Sequence, residues 1–75
     1  MSMPVVREAA IRGLGTKGSL QAATMDYVDG GAHQKLTIVI LKNDGTTATL
    51  AETVPASTDL IAKACAMAAA WADQN

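Results

Sequence analysis

The clearest pattern in this chain is an apolar run, then a turn, then an alternating run. Residues 36–41 are apolar at every position except Thr37, so a strand formed by residues 35–42 is apolar on both faces. Asp44-Gly45 is a strong hairpin signal, as a two-residue turn or as a three-residue loop with a bulge. Residues 46–54 then alternate, with Ala48, Leu50 and Val54 inward. The pattern predicts a β-hairpin whose first strand needs cover on both sides.

A third strand is predicted before this hairpin, over residues 19–29. Its side chains alternate, and the glycine-rich segment 29–34 turns the chain into the apolar strand. One side of this strand is expected to carry Leu20, Ala22 and Thr24, and the other Ala23, Met25 and Tyr27. Together, the three runs predict an antiparallel meander.

Helices are predicted at both ends of the chain. Residues 57–73 follow Pro55, have Ser57 or Thr58 as the N-cap, and carry an apolar stripe at helical spacing. The stripe consists of Leu60, Ala64, Met67, Ala68 and Trp71, widened by Ile61 and Cys65. Residues 4–14 favour a short helix with Ser2 as the N-cap, and a strand is the alternative. We therefore expect one α+β domain over residues 1–75, ordered α-β-β-β-α, with β-β-β-β-α as the alternative.

The composition predicts a small core. Apolar residues make up 49% of the 75, but fifteen of them are alanine and none is phenylalanine. Alanine contributes little area at about 25 cal/mol per Å² buried. A lone Cys65 excludes an internal disulfide, and one histidine with one cysteine does not make a usual structural zinc site. Self-association is the remaining way for so small a domain to gain stability.

The side chains that could carry chemistry do not form a catalytic set. His33 lies in the glycine-rich turn, with Asp29 as the nearest carboxylate, and general base catalysis would also need a nucleophile. Cys65 lies among alanines on the apolar stripe, which is typical of a small core residue. We predict a protein that is not an enzyme and has no catalytic residue, cofactor or metal site.

Charge and hydropathy narrow the range of partners. The formal net charge is −1, and acids and bases are scattered without a basic patch. Nonspecific binding to nucleic acid or to an anionic membrane is therefore not favoured. No signal-peptide pattern or membrane-spanning apolar run is visible, so a cytoplasmic protein is expected.

One family resemblance spans most of the chain. The order α-β-β-β-α, the turn Gly31-Ala-His33-Gln-Lys35 and the helix segment Ala62-Lys63 with Ala66, Ala69 and Ala70 resemble a double-stranded RNA-binding domain. The resemblance implies that the histidine-containing turn enters a minor groove and that a basic helix start contacts phosphates. The matching helix start here is Thr58-Asp59-Leu60, which has an acid and a leucine where the family has lysines. RNA binding is the alternative function that the resemblance implies.

The sequence favours a structural or protein-interaction module that forms a homodimer or binds another protein. If both helices cover one face of the sheet, Met25, Tyr27, Val39 and Leu41 are expected to form an apolar patch on the other face. Pairing of two sheet faces or of two sheet edges would bury it. A further alternative is a small-ligand carrier with a pocket near Trp71.

Overall fold

The protein has two helices and three strands in the order predicted for an α+β domain. The structure is a computed structural model that describes residues 3–75. Its elements are α1 (Met3–Leu14), β1 (Gly18–Val28), a 3-10 turn (Asp29–Gly31), β2 (His33–Lys42), β3 (Thr47–Pro55) and α2 (Leu60–Asp73). The order α-β-β-β-α is confirmed, and the N-terminal segment is a helix rather than a strand. The expected N-cap, Ser2, lies outside the described residues.

The three strands form one antiparallel sheet in the order β1-β2-β3. In the β2–β3 hairpin, the Lys42 N–H donates to the Thr46 carbonyl at 2.8 Å, and the Gly45 N–H donates to the Lys42 carbonyl at 3.0 Å. Gly45 has φ 89°, a conformation that glycine adopts without steric cost. The loop is thus the three-residue alternative of the two that the sequence allowed.

Both helices lie on the same face of the sheet, and the core lies between them. Leu36, Ile38 and Ile40 of β2 point into this core and are 0% exposed. They pack with Val6 and Leu14 of α1 and with apolar residues of α2. We call this side of the sheet the covered face and the other side the open face. The N-terminal helix therefore adds to the cover given by α2 and leaves the open face without a layer.

The two helices approach each other closely where Gly13 meets α2. A Cβ atom built on Gly13 would lie 2.5 Å from the Cys65 carbonyl oxygen and 2.9 Å from the Ala68 Cβ. Only small residues allow backbones to come this near. The alanine-rich surface of α2, with Ala64 and Ala68 fully buried, is thus the surface on which α1 packs.

The start of α2 differs from the prediction by one or two residues. Asp59 is the N-cap, and its Oδ1 accepts hydrogen bonds from the N–H groups of Ile61 at 3.0 Å and Ala62 at 3.3 Å. Ser57 and Thr58 were the predicted caps, and that prediction is wrong. The Thr58 N–H instead donates to the Pro55 carbonyl, in the turn that precedes the helix.

Strand β1 contains an irregularity that the alternation pattern did not show. Leu20 is opposite Ile40, but Ala22 is opposite Val39, so Gln21 is an extra residue in a β-bulge. Residues that are directly opposite in an antiparallel pair share a face. The bulge therefore places Leu20 on the covered face, whereas the simple alternation placed it with Ala22 and Thr24.

Candidate interaction surface

The structure separates the four residues that were predicted to form one apolar patch. Val39 and Leu41 lie on the open face, as expected. Met25 is opposite Leu36 and Tyr27 is opposite Gln34, so both lie on the covered face. The predicted grouping of the four is wrong because strand register decides which face a residue occupies, and a shift of one residue reverses it. The alternation of side chains within β1 does not show how β1 pairs with β2.

The two separated pairs differ in their surroundings. Met25 packs against the core, and Tyr27 at the end of β1 is 68% exposed. On the open face, Val39 is half-buried and Leu41 is 41% exposed. Two large apolar side chains make a small patch, well below the extent that four residues together would give.

The rest of the open face is polar or small, apart from Val28 and Pro55 at one end, and it is almost uncharged. Its threonines are Thr24, Thr37, Thr47, Thr49 and Thr53. Its fully charged residues are Asp26 and Lys35, which are directly opposite each other in the β1–β2 pair. Opposite charges at such positions attract, so they cancel locally. The open face is thus rich in β-branched side chains and close to zero in net charge.

Strand β3 is an edge of the sheet with a regular row of free backbone groups. The Lys42 N–H bond to Thr46 and the Ala56 N–H bond to Ala32, at 3.0 Å, mark the two ends of the β2–β3 ladder. Bonded and outward residues alternate along an antiparallel strand. With the observed register, even-numbered residues 48–54 bond to β2. The outward N–H and C=O groups therefore belong to Thr47, Thr49, Ala51 and Thr53.

The two edges of the sheet are protected to different degrees. The outer edge of β1 is interrupted by the bulge at Gln21, and such a bulge disturbs pairing with a further strand. Strand β3 pairs with β2 in continuous register over its nine residues, and its proline, Pro55, lies at the very end. Its one charged residue, Glu52, is bound by Lys63 of α2 at 2.6 Å. β3 thus lacks the bulges, lysines and central prolines that usually block an edge.

A groove runs beside this edge, between β3 and α2. It has a volume of about 440 Å³ and is open to solvent along its length. Its strand side is formed by residues 49–52, and its helix side by Met67, Ala70, Trp71 and Gln74. The predicted space near Trp71 is therefore present, as an open groove rather than an enclosed pocket. Apolar side chains and free backbone groups occur together here, a combination that recognises an extended chain.

The turn before β2 brings together the pair that the sequence singled out. His33 Nδ1 lies 3.2 Å from Asp29 Oδ2, and both side chains are substantially exposed. The two atoms are close, but the Nδ1 atom forms no hydrogen bond. Among the described residues, no serine, threonine or cysteine side chain hydrogen-bonds to His33, and Cys65 is a half-buried free thiol on α2.

The same turn lies next to the segment that leads into α2. Gln34 is buried and its Nε2 donates to the Ala56 carbonyl at 2.7 Å, which ties β2 to the segment leading into α2. The acids Asp29 and Asp59 lie in these two segments. Lys63 is engaged with Glu52. Among residues 3–75, this end of the protein therefore does not present a cluster of free cations of the kind that contacts phosphates.

The remaining polar cluster lies in the β2–β3 loop and is explained by the loop itself. Asp44 Oδ1 accepts hydrogen bonds from the Thr46 hydroxyl at 2.6 Å and from the Thr46 N–H at 2.9 Å. These two bonds, the hydroxyl first, hold the pKa of the Asp44 carboxyl below its ordinary value. The carboxylate is fully exposed, so its role is to fix the turn.

Comparison of the chain with known protein families, with curated proteins and with solved structures found no match. Within residues 3–75, no three histidine, cysteine or acidic side chains group closely enough to hold a metal ion. No helix in that part of the chain is long and apolar enough to cross a bilayer.

The β3 edge was not among the residues predicted to form a site. Residues 46–54 contain one charge in nine positions, and a nearly uncharged strand can pair with a further strand if it lies at the edge of a sheet. The sequence alone does not show that this strand lies at an edge, and a central strand of the same composition would have no free backbone groups. The order β1-β2-β3 supplies this information.

Proposed function

We propose that this protein is a small, non-enzymatic structural or protein-interaction module that works as a homodimer. The observation that carries the proposal is the incomplete sheet. Both helices cover one face, and no other strand of the described residues pairs with the outer side of β3. An unprotected edge strand associates readily with another strand. A domain of 75 residues also gains stability from a subunit contact more easily than from its own limited core.

Two surfaces are available for the contact, and they differ in what they offer. The open face provides Val39 and Leu41 among threonines, which would bury modest apolar area. The β3 edge provides regular backbone donors and acceptors beside the groove.

We also propose that the protein works in the cytoplasm, since its single free Cys65 fits a reducing compartment.

Size-exclusion chromatography with light scattering tests the proposal directly. At micromolar concentration we expect a mass of twice the chain's 7.7 kDa, with a monomer appearing on dilution. A mass of 7.7 kDa at every concentration, for protein shown to be folded by circular dichroism, would refute the homodimer. A variant such as Arg12→Glu on the exposed surface of α1 is the matched control, and we expect it to keep the mass of the parent.

The groove beside Trp71 also favours a second candidate function, a small-ligand carrier. Leu50, Met67 and the indole ring of Trp71 suit a planar apolar molecule, while Thr49, Glu52 and Gln74 make the rest of the lining polar. Ligand sites usually enclose most of the ligand surface, however, and this groove is open, which fits a macromolecular partner better. Trp71 is the sole tryptophan, so its emission reports on the groove. Saturable quenching by the apolar dye anilinonaphthalene sulfonate, in folded protein, would support the carrier, and an unchanged emission would exclude it for that dye class.

A further inference from the structure

We infer that two copies of this chain pair through β3, antiparallel, about a two-fold axis that passes beside Leu50. The inference rests on the proposed homodimer and names its interface. The occupant of the edge is then a second copy of β3, and the two three-stranded sheets join into one sheet of six strands. The covered faces continue into each other, so the helices of both copies lie on one side.

The position of the axis follows from the spacing of the free backbone groups. The outward residues Thr47, Thr49, Ala51 and Thr53 are placed symmetrically about Leu50. An axis there sets Thr47 opposite Thr53 and Thr49 opposite Ala51 of the second copy. Each such pair exchanges two hydrogen bonds, so all four outward residues are satisfied with about eight bonds in total.

Neighbouring registers satisfy fewer groups. An axis beside Thr49 sets Thr53 opposite Gly45, in the loop beyond the strand. An axis beside Ala51 sets Thr47 opposite Pro55, which has no N–H to donate. Backbone groups left unpaired in a partly buried interface cost free energy. The axis beside Leu50 is the register that leaves none unpaired along the strand.

Side chains on the covered face are compatible with this register. Leu50 meets Leu50 of the second copy, and Ala48 meets Glu52 of the second copy. No two like charges are opposite, and each Glu52 keeps its own Lys63 at 2.6 Å. The threonines of the open face pair with threonine or alanine, which suits an antiparallel sheet. The strand is therefore self-complementary in charge as well as in backbone groups.

The groove beside β3 gains a second wall in this arrangement. By symmetry, the grooves of the two copies face each other across the axis. The helix sides, formed by Met67, Ala70 and Trp71, then lie above the new junction. Apolar surface that is exposed to solvent in the monomer is buried in the dimer. The interface is thus an edge pairing with apolar cover on one side.

Engineered cysteines test the register, in a Cys65→Ala background that removes the native thiol. Directly opposite residues that do not exchange hydrogen bonds have Cα atoms about 4.5 Å apart, within the range a disulfide spans. We expect a mixture of Ala48→Cys and Glu52→Cys chains to form a disulfide-linked dimer under mild oxidation. Each variant alone is the matched control, because its two cysteines would be roughly 14 Å apart, four residues along the strand. Leu50→Cys alone should cross-link to itself.

The outcomes separate this inference from the proposed function. Cross-linking in the mixture, and in neither control, supports the β3 register. A folded dimer without cross-linking in the mixture or in Leu50→Cys overturns the inference and leaves the homodimer standing. In that case Val39→Cys, on the open face, reports whether the faces pack instead. A folded monomer in light scattering overturns both. Circular dichroism of each variant shows that it is folded before its result is used.

Discussion

Replacing Gly13 with alanine tests the closest packing in the protein, the crossing of α1 and α2. Alanine normally stabilises a helix relative to glycine by about 1 kcal/mol. Here the new Cβ would lie 2.5 Å from the Cys65 carbonyl oxygen, 2.9 Å from the Ala68 Cβ and 3.1 Å from the Ala69 nitrogen. Two of these three atoms belong to the backbone and do not rotate away. The steric effect and the propensity effect therefore have opposite signs.

The steric effect is expected to be larger. The helices would have to separate by about 1 Å to restore an ordinary contact of about 3.5 Å. Overpacking of this kind costs about 1–3 kcal/mol, and separation also loosens the fully buried Ala10 and Leu14. Because two of the three close atoms belong to the backbone, the cost should lie near the upper end of this range, about 3 kcal/mol, and after subtracting the propensity gain of about 1 kcal/mol we expect a net loss of about 2 kcal/mol. For a domain of this size that lowers Tm by about 10 °C.

Thermal unfolding followed by far-ultraviolet circular dichroism measures this shift. Ala66→Gly, on the exposed side of α2, is the matched control for propensity alone and should cost about 1 kcal/mol. Ala68→Gly should cost less in the Gly13→Ala protein than in the parent, because there it also removes one of the three close contacts. A Gly13→Ala protein with a Tm equal to or above that of the parent would refute the close crossing.

Three other predictions concern the cap, the loop and nucleic acid. Asp59→Ala should lower the free energy of unfolding by about 1 kcal/mol in urea denaturation, because two N–H groups lose their acceptor. The control Ser57→Ala should change the free energy of unfolding by less than about 0.5 kcal/mol. Equal effects of the two substitutions would contradict the cap assignment. Thr46→Val removes the hydroxyl donor and should raise the pKa of Asp44 toward its ordinary value in an NMR titration, and an unchanged pKa would count against the hydroxyl as the main cause. Since the pKa of Asp44 is lowered by these bonds, its small contribution to stability is present at neutral pH and lost as pH falls through the folded-state pKa. The acids Asp29 and Asp59 lie at the end of the protein where the resemblance implies contact with RNA. A labelled short RNA duplex at low salt should therefore show no change in fluorescence anisotropy at tens of micromolar protein. Saturable binding would contradict this prediction.

The elements of the fold were predictable because each has a local signal. The apolar run of β2, the Asp44-Gly45 loop and the stripe of α2 depend on neighbours in the sequence, and all three are observed. The Gly13 crossing was not predicted as a specific contact. Small side chains on a helix allow a close approach, but which backbone makes it depends on packing between distant segments.

The candidate surface was less predictable because it depends on register and strand order. Val39 and Leu41 were placed on the open face correctly, since β2 alternates from Leu36 onward. Met25 and Tyr27 were not, because their face is decided by pairing across the turn that follows β1. A bulge such as that at Gln21 leaves no clear mark in a run of small and polar residues. The edge role of β3 likewise follows from its position in the sheet.

The bulge at Gln21 has a consequence for the size of any assembly. A sheet with two regular edges that grows by pairing has no natural end, and repeated addition gives a ribbon or fibre. If β3 pairs with β3, the outer edges of the six-stranded sheet are the two copies of β1. One extra residue in each β1 interrupts the row of backbone groups that a further dimer would need. The bulge at Gln21 would then stop further dimers from adding at the β1 edges, so the assembly would end as a dimer.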